Sequence, residues 1–457
     1  MSASAEGTSA RPTGYGRGAA VLSVGFGVTG LVTYAYFSLA SHSLSDSAYG
    51  GITLLWSTVF IVVSILYRPV EQLLSRTIAE RDARGQAGNE HLRVAATIQL
   101  ALGFVFAVVA LALYRPLEHG LFGGSSTLYW VMIAAVLFYA ASYFARGFLA
   151  GHHRFGLYGL LVFLESMSRC AFALVAAVGL IEGQSVVALG IAAAPLFSLS
   201  VVPWALRRRL RATAVPPATE RAIAAAAGEE PPPTDSTPEQ AEFTLSHGVG
   251  FAGAVLLIMI AEQTFLNAGP LLVKATESHR GTALAGFAFN VLLIARAPLQ
   301  LFQAIQTSIL PHLTKLRASG QADPFRRSVN ITLAAIAAFA GAVAVAMAAL
   351  GPQIMRVAFG AGGHYARGGL VLVAVGMGLY LAAATLNQAA LARGRTRQAA
   401  LCWVGAAIAF VVALLVPGFH ERVLQVEVAY IGGALLLCGL LYVLYRRPEP
   451  ALALARE

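Results

Sequence analysis

Residues Ile65–Gly85 read ILYRPVEQLLSRTIAERDARG and close an apolar run that begins near Ile52. Arg68, Glu71, Gln72 and Ser75 fall at i, i+3, i+4 and i+7, which places them on one face of a helix. A charge facing lipid near mid-bilayer costs about 2.5–3.5 kcal/mol. Two readings of the stretch stand. The polar face lines a cavity open to water, or Arg68 snorkels to the membrane surface while its stem stays in apolar surroundings. Pro69 lacks an N–H and is expected to loosen or kink the helix at this point.

Composition sets the frame for that stretch. Of 457 residues, 57% are hydrophobic and 12% charged, where soluble domains have about 45–50% and about 25%. Apolar runs of about 20 residues recur from end to end and are continuous, without strand-like alternation. The fold class expected is an all-α polytopic membrane protein. Twelve spans are read, at about 18–40, 48–74, 93–114, 128–150, 156–180, 185–206, 247–273, 283–312, 328–350, 368–392, 398–417 and 425–445.

The formal net charge is +10, but the arginines cluster in short connections between apolar runs, so topology and not nucleic acid explains them. Alternate connections and the two termini hold 23 Lys/Arg, among them Arg76, Arg81, Arg146, Arg154, Arg207–Arg209, Arg326, Arg393 and Arg446. The opposite set holds 6: Arg115, Lys274, Arg280, Arg356, Arg367 and Arg422. The positive-inside rule then puts both termini in the cytoplasm and requires an even number of spans. The N-terminal MSASAEGTSARPTGYGRG lacks the form of a cleaved signal peptide, so the first span is expected to remain in the membrane.

Residues 207–246, with AIAAAAGEEPPPTDSTPEQAE, are poor in large apolar residues and read as a flexible linker. They divide the chain into a tail at 1–17, a six-helix bundle at 18–206, a second at 247–445 and a tail at 446–457. YRPVEQLLSRTIAERDARGQ in the second span echoes ARAPLQLFQAIQTSILPHLTKLRASGQ in the eighth, in keeping with homologous halves.

The eighth span carries Arg296, Gln300, Gln303 and Thr307 at i, i+4, i+7 and i+11, with Pro298 beside them, a second polar face expected to meet the first across a central space. In the fifth span Glu165 and Arg169 are four residues apart, either a mutually satisfied structural pair or part of the cavity lining. In the seventh, Glu262, Gln263 and Asn267 lie near the middle; Glu262 either titrates, pairs with Arg296, or sits neutral and hydrogen-bonded. Asn387 and Gln388 in the tenth span line the cavity or glue helices together.

Cys170, Cys402 and Cys438 lie in apolar runs without metal-ligand or disulfide spacing, and no nucleotide, zinc-protease or hydrolase motif is present. No catalytic residue, metal or organic cofactor is expected; a coupling ion would be H+ or Na+.

Three segments, RPVEQLLSRTIAERDARG (68–85), GHHRFGLYGLLVFLESMSR (151–169) and ILPHLTKLRASGQADPFRRS (309–328), together with the six-plus-six plan, resemble the multidrug/oligosaccharidyl-lipid/polysaccharide (MOP) flippase superfamily, most nearly its polysaccharide-transporter branch with the O-antigen-type flippases. The resemblance implies a MATE-like V of two bundles around a central cavity. It also implies alternating access to a polyprenyl-diphosphate-linked glycan at the bacterial plasma membrane, with Arg68, Arg169 and Arg296 holding the anionic group. Arginine suits that task because its planar fork binds phosphate bidentately and stays charged. The partners implied are the lipid-linked glycan, membrane lipids and other proteins of envelope-polysaccharide biosynthesis. Residues 18–40 contain neither the arginines of lipid II flippases nor the Asp of many proton-coupled drug exporters. A cation-coupled multidrug antiporter of the same fold is the nearest alternative. A polytopic glycosyltransferase or polymerase would need a large outward loop, and the outward connections hold only about 10–20 residues.

The charge bias makes a direct prediction. Green fluorescent protein fused after Glu457 should fluoresce and alkaline phosphatase at the same place should be inactive; the reverse pattern would invert the topology.

Overall fold

The computed structural model describes residues 15–83, 88–203, 245–277, 281–294, 322–360, 365–416, 418 and 421–447. Among them every regular element is helical. The first half forms α1 (Tyr15–Ser43), α2 (Asp46–Leu66), α3 (Arg68–Ala83), α4 (Glu90–Ala112), α5 (Ser126–Gly151), α6 (Phe155–Ala177) and α7 (Gln184–Ser198). The second half forms α8 (Leu245–Thr276), α9 (Gly281–Ile294), α10 (Ala322–Phe359), α11 (Arg367–Ala392), α12 (Thr396–Leu415) and α13 (Arg422–Arg446).

Among the described residues ten helices are long and apolar enough to cross a membrane, with α2 and α3 forming one span from Asp46 to Ile78. The protein is a multi-pass membrane protein. Each of the ten falls where a span was expected. Helix α1 occupies the place of the first span, and α9 that of the eighth, which is described as far as Ile294. One boundary differs markedly: the ninth span, expected at 328–350, belongs to an apolar helix from Asp323 to Phe359. At 1.5 Å per residue its 37 residues measure about 55 Å, well over the roughly 30 Å of hydrocarbon, so it projects beyond the bilayer core.

Local chemistry explains several of these ends. The Ser45 and Ser125 hydroxyls accept the Ala48 and Leu128 N–H groups at the starts of α2 and α5, both at 3.4 Å. Helix α2 stops at Tyr67 because Pro69 has no N–H to offer the Ile65 carbonyl and its ring crowds that oxygen; α3 resumes at once. At the other end of the chain, Arg393 donates to the Tyr445 carbonyl at 2.7 Å and Arg395 to the Leu444 carbonyl at 2.7 Å, so two basic residues close the C-terminus of α13.

The helices pack as two groups. In the first, α1 lies along α6, α6 along α7, and α5 packs against α2, α3, α4 and α7. In the second, α11 lies between α10 and α13, while α12 packs on α8 and α13. Phe265 stacks on Phe410 at 5.0 Å in the second core, where the Trp403 indole also donates to Asn387 Oδ1 at 3.1 Å. Asn387 therefore joins α11 to α12 in the gluing role. The connection at 207–244 lies outside the described residues.

The groups meet where α1 and α2 face α8, α9 and α10. Phe37 packs on Phe289 with centroids 4.6 Å apart, and Tyr34 on Phe359 at 5.2 Å. The Tyr49 hydroxyl donates to Asn290 Oδ1, and Asn290 Nδ2 donates to the Tyr365 hydroxyl at 3.0 Å. Beside them the backbones touch: a Cβ on Gly50 would stand 1.8 Å from the Thr282 carbonyl oxygen, and one on Gly286 3.2 Å from the Gly50 Cα. These contacts join the start of α2 to the start of α9, at the end that the charge bias assigns to the outside.

Gly50→Val should therefore part the two groups at that end. Spin labels on Ser47 and Glu421, both exposed, should report a longer and broader distance in the variant; an unchanged distribution would show that the seam does not depend on the glycine.

Candidate functional site

The charged residues of the first half converge where α3, α5 and α6 meet. Gly147 and Gly151, spaced as GxxxG on α5, let α3 come close: a Cβ on Gly147 would be 2.8 Å from the Glu71 carbonyl oxygen, and one on Gly151 2.7 Å from Ile78 Cβ. That approach sets Glu71 beside α5 and α6. Its carboxylate accepts the Tyr158 hydroxyl of α6 at 2.9 Å.

Glu165, 1% exposed, is the centre of this cluster. One oxygen accepts Arg146 of α5 at 2.6 Å and Ser142 at 3.1 Å, and the other accepts Arg169 at 2.9 Å. Arg169, 3% exposed, also donates to the Tyr139 hydroxyl at 2.7 Å and to Ser166 Oγ at 2.8 Å. Its guanidinium lies 5.0 Å from the Trp56 ring centroid, and that of Arg146 lies 4.6 Å from the Tyr143 ring. Two guanidinium groups thus neutralise one buried carboxylate between them, leaving one positive charge over, and Glu71 is the next acid along the same seam.

Arg68 takes a different direction. The carboxylate acting on it most strongly is Glu262 of α8, from the other helix group, ahead of Glu71 on its own helix. Both Arg68 and Glu262 also act on the buried Tyr380 of α11. These three residues therefore mark the place where the groups face each other. The nearest acids around Arg68 thus come from both helix groups, Glu262 from one and Glu71 from the other.

The shared polar face read at Arg68, Glu71, Gln72 and Ser75 is divided by the structure. Arg68 faces α8, Glu71 faces α6, and Gln72 is exposed. Glu165 and Arg169 form the expected pair, but as part of a larger cluster. Arg146 is a correction: counted above with the connections, it lies inside α5 with its side chain 11% exposed and bonded to Glu165. The bias between the two sets of connections survives its removal. The pattern Ser142–Arg146, four residues apart on an otherwise apolar helix, was the available signal; Tyr139 and Tyr158 carried none. Asn267 donates to Gln263 Oε1 at 3.1 Å within α8. Arg296, Gln300 and Gln303 lie outside the described residues, and so does any pairing of Glu262 with Arg296.

Cys170, Cys402 and Cys438 are free thiols. Among the described residues no group of three His, Cys, Asp or Glu side chains is arranged to hold a metal ion.

This architecture is that of a known class of membrane transporter. A multidrug resistance MATE family transporter of the MOP superfamily, solved in an inward-facing conformation, superposes with a TM-score of 0.64 at 14% identity, over 93% of this chain and 97% of that one. An outward-facing structure of the same description gives 0.55 at 14% identity, over 94% of each chain. The fold is similar to that of these MATE transporters. In sequence, the chain is 26% identical to the uncharacterized protein Rv3630 of Mycobacterium tuberculosis over 440 residues, 92% of this chain and 90% of that protein. No family model matches.

The buried cluster makes a stability prediction. Glu165→Ala leaves Arg146 and Arg169 without their shared counter-ion and should cost about 3–5 kcal/mol, seen as a large fall in the melting temperature of the detergent-purified protein. A melting temperature equal to that of the unaltered chain would mean the cluster is solvated.

Proposed function

We propose that this protein is an alternating-access flippase or exporter carrying an anionic cell-envelope glycolipid, a polyprenyl-diphosphate-linked oligosaccharide or a related molecule, across the bacterial plasma membrane. The observation that carries the reading is Arg68 at the boundary between the helix groups, with Glu262 of the opposite group as its main counter-charge. When the halves part, Arg68 presents a planar, permanently charged fork to an incoming diphosphate or acidic sugar.

On this reading 18–206 and 247–445 are the two rocking halves, and 1–17, 207–246 and 446–457 lie in the cytoplasm. On this reading the seam at Tyr49, Asn290 and Tyr365 lies at the outer end, as expected of an inward-facing state. The better superposition on an inward-facing transporter agrees with that assignment. The polar headgroup would travel between the halves while the lipid tail remains in the bilayer. Enzymes that assemble the envelope polysaccharide are the natural partners.

A second reading, a cation-coupled multidrug antiporter, draws on Glu262, an acid at the same boundary, and on the multidrug transporters that share the fold. The two separate experimentally. In proteoliposomes, Arg68→Ala should slow the flipping of a fluorescent polyprenyl-diphosphate oligosaccharide at least about tenfold, equivalent to about 1.4 kcal/mol, at unchanged protein abundance. Full flipping by the variant would remove the proposal. Dye efflux that needs Glu262 but not Arg68 would establish the antiporter.

A further inference from the structure

At the outer end of the second helix group, polar side chains are satisfied one after another until the series stops at a single acid. Glu277, at the end of α8, accepts Arg422 Nε at 2.7 Å. Arg422 donates in turn to Gln425 Oε1 at 2.8 Å. The Gln425 amide donates to the carbonyls of Ala413, Leu414 and Val416 at 2.9, 3.1 and 2.7 Å, closing the C-terminus of α12. Two residues on, Glu427 is 2% exposed and, among the described residues, makes no hydrogen bond and no ion pair. Its carboxyl group lies flat against Gly369, in the first turn of α11. A Cβ there would be 1.8 Å from one carboxyl oxygen and 2.3 Å from the other. Seven residues further along α11, Gly376 receives the Tyr430 ring in the same way, at 2.9 Å. The two glycines form the groove into which α13 settles.

We propose that Glu427 is a proton-binding site, its carboxyl group protonated while α13 lies in this groove, and that loss of the proton drives α13 away from α11. The physical reason is that an isolated carboxylate enclosed without a partner carries a penalty far beyond that of a neutral carboxyl group. A charged Glu427 must therefore either find a cation or reach water, and among the described residues Arg422 is held by Glu277 and Arg367 is exposed. Among the described residues, the titratable or charged groups on the elements around it are few. Arg367 opens α11 and is exposed, and Tyr365, just before it, is bonded to Asn290. Tyr380 is farther along α11. Lys274 and Glu277 end α8, the latter held by Arg422. Helix α12 contributes Cys402, toward its opposite end. The segment of Glu427 itself offers Glu421, a like charge, with Arg422, Tyr430 and Cys438. The ligand of the site is a proton.

The test uses the full chain purified into lipid nanodiscs and does not depend on the transported substrate. Infrared spectra of the unaltered protein should show a protonated-carboxyl band at neutral pH that fades as the pH is raised. Glu427→Gln should abolish the band, and Glu277→Gln should retain it. Thermal unfolding should agree: the unaltered protein should lose stability from mildly acidic to alkaline buffer relative to Glu427→Gln, and the two should coincide in acid. If Glu427→Gln does not fold, Gly369→Ala serves instead, since its methyl group would displace the carboxyl group toward solvent and remove the band at neutral pH. A band unaffected by either substitution, or missing from the unaltered protein at neutral pH, would overturn the proposal.

Discussion

Glu165 sits ionised among apolar helices only because Arg146, Arg169 and Ser142 supply the hydrogen bonds that water would otherwise make. Enclosed ions of this kind are stable as a set and not as individuals. Removing Glu165 leaves two guanidinium groups without their shared counter-ion, whereas the assembled group costs little more than an apolar core of the same size. That constraint fixes the relative positions of α5 and α6, and through Tyr158 and Glu71 it extends to α3. The first helix group therefore holds its internal geometry by charge pairing and close glycine contact, Gly147 and Gly151 against α3, and is suited to move as a unit.

The second group is held differently. Its core is aromatic, with Phe265, Phe410, Trp403 and Tyr380 packed together around the Trp403–Asn387 hydrogen bond, and further polar contacts close its ends, Gln425 at one helix and Arg393 and Arg395 at another. Between these two rigid bodies the contacts are of another kind. Tyr49, Asn290 and Tyr365 exchange ordinary neutral hydrogen bonds, each worth about 0.5–1.5 kcal/mol net, and the rest is van der Waals packing. A boundary made of many weak terms next to interiors made of strong ones is what allows rigid halves to separate without losing their own structure. Arg68 and Glu262 place opposite charges on the two sides of that boundary.

Much of the architecture was legible in the sequence because bilayer thickness imposes a length on each apolar run, and arginine placement punctuates them. The break before Arg68 followed from Pro69. The polar site was legible only in part. Arg146 lies one turn from the end of its helix, where an arginine reads as interfacial, and only the fold reveals that Glu165, nineteen residues away, has taken it inward. Gln72 shared a face with Glu71 in the helical pattern, yet the two diverge because only the Glu71 side faces the α5 glycines. Glu427 was overlooked for a related reason: beside Arg422 at a helix end it looks solvated, and its enclosure is created by Gly369, a residue with no side chain to announce itself.

The contact between Gly50 and Gly286 has a mechanical meaning. Where bulky side chains meet, small rotations let them slide and re-pack, and the separation between their helices can vary continuously. Two backbones in direct touch have no such slack, so repulsion rises steeply with any further approach. The pair acts as a doorstop: it defines how near the two helix groups can come on that side.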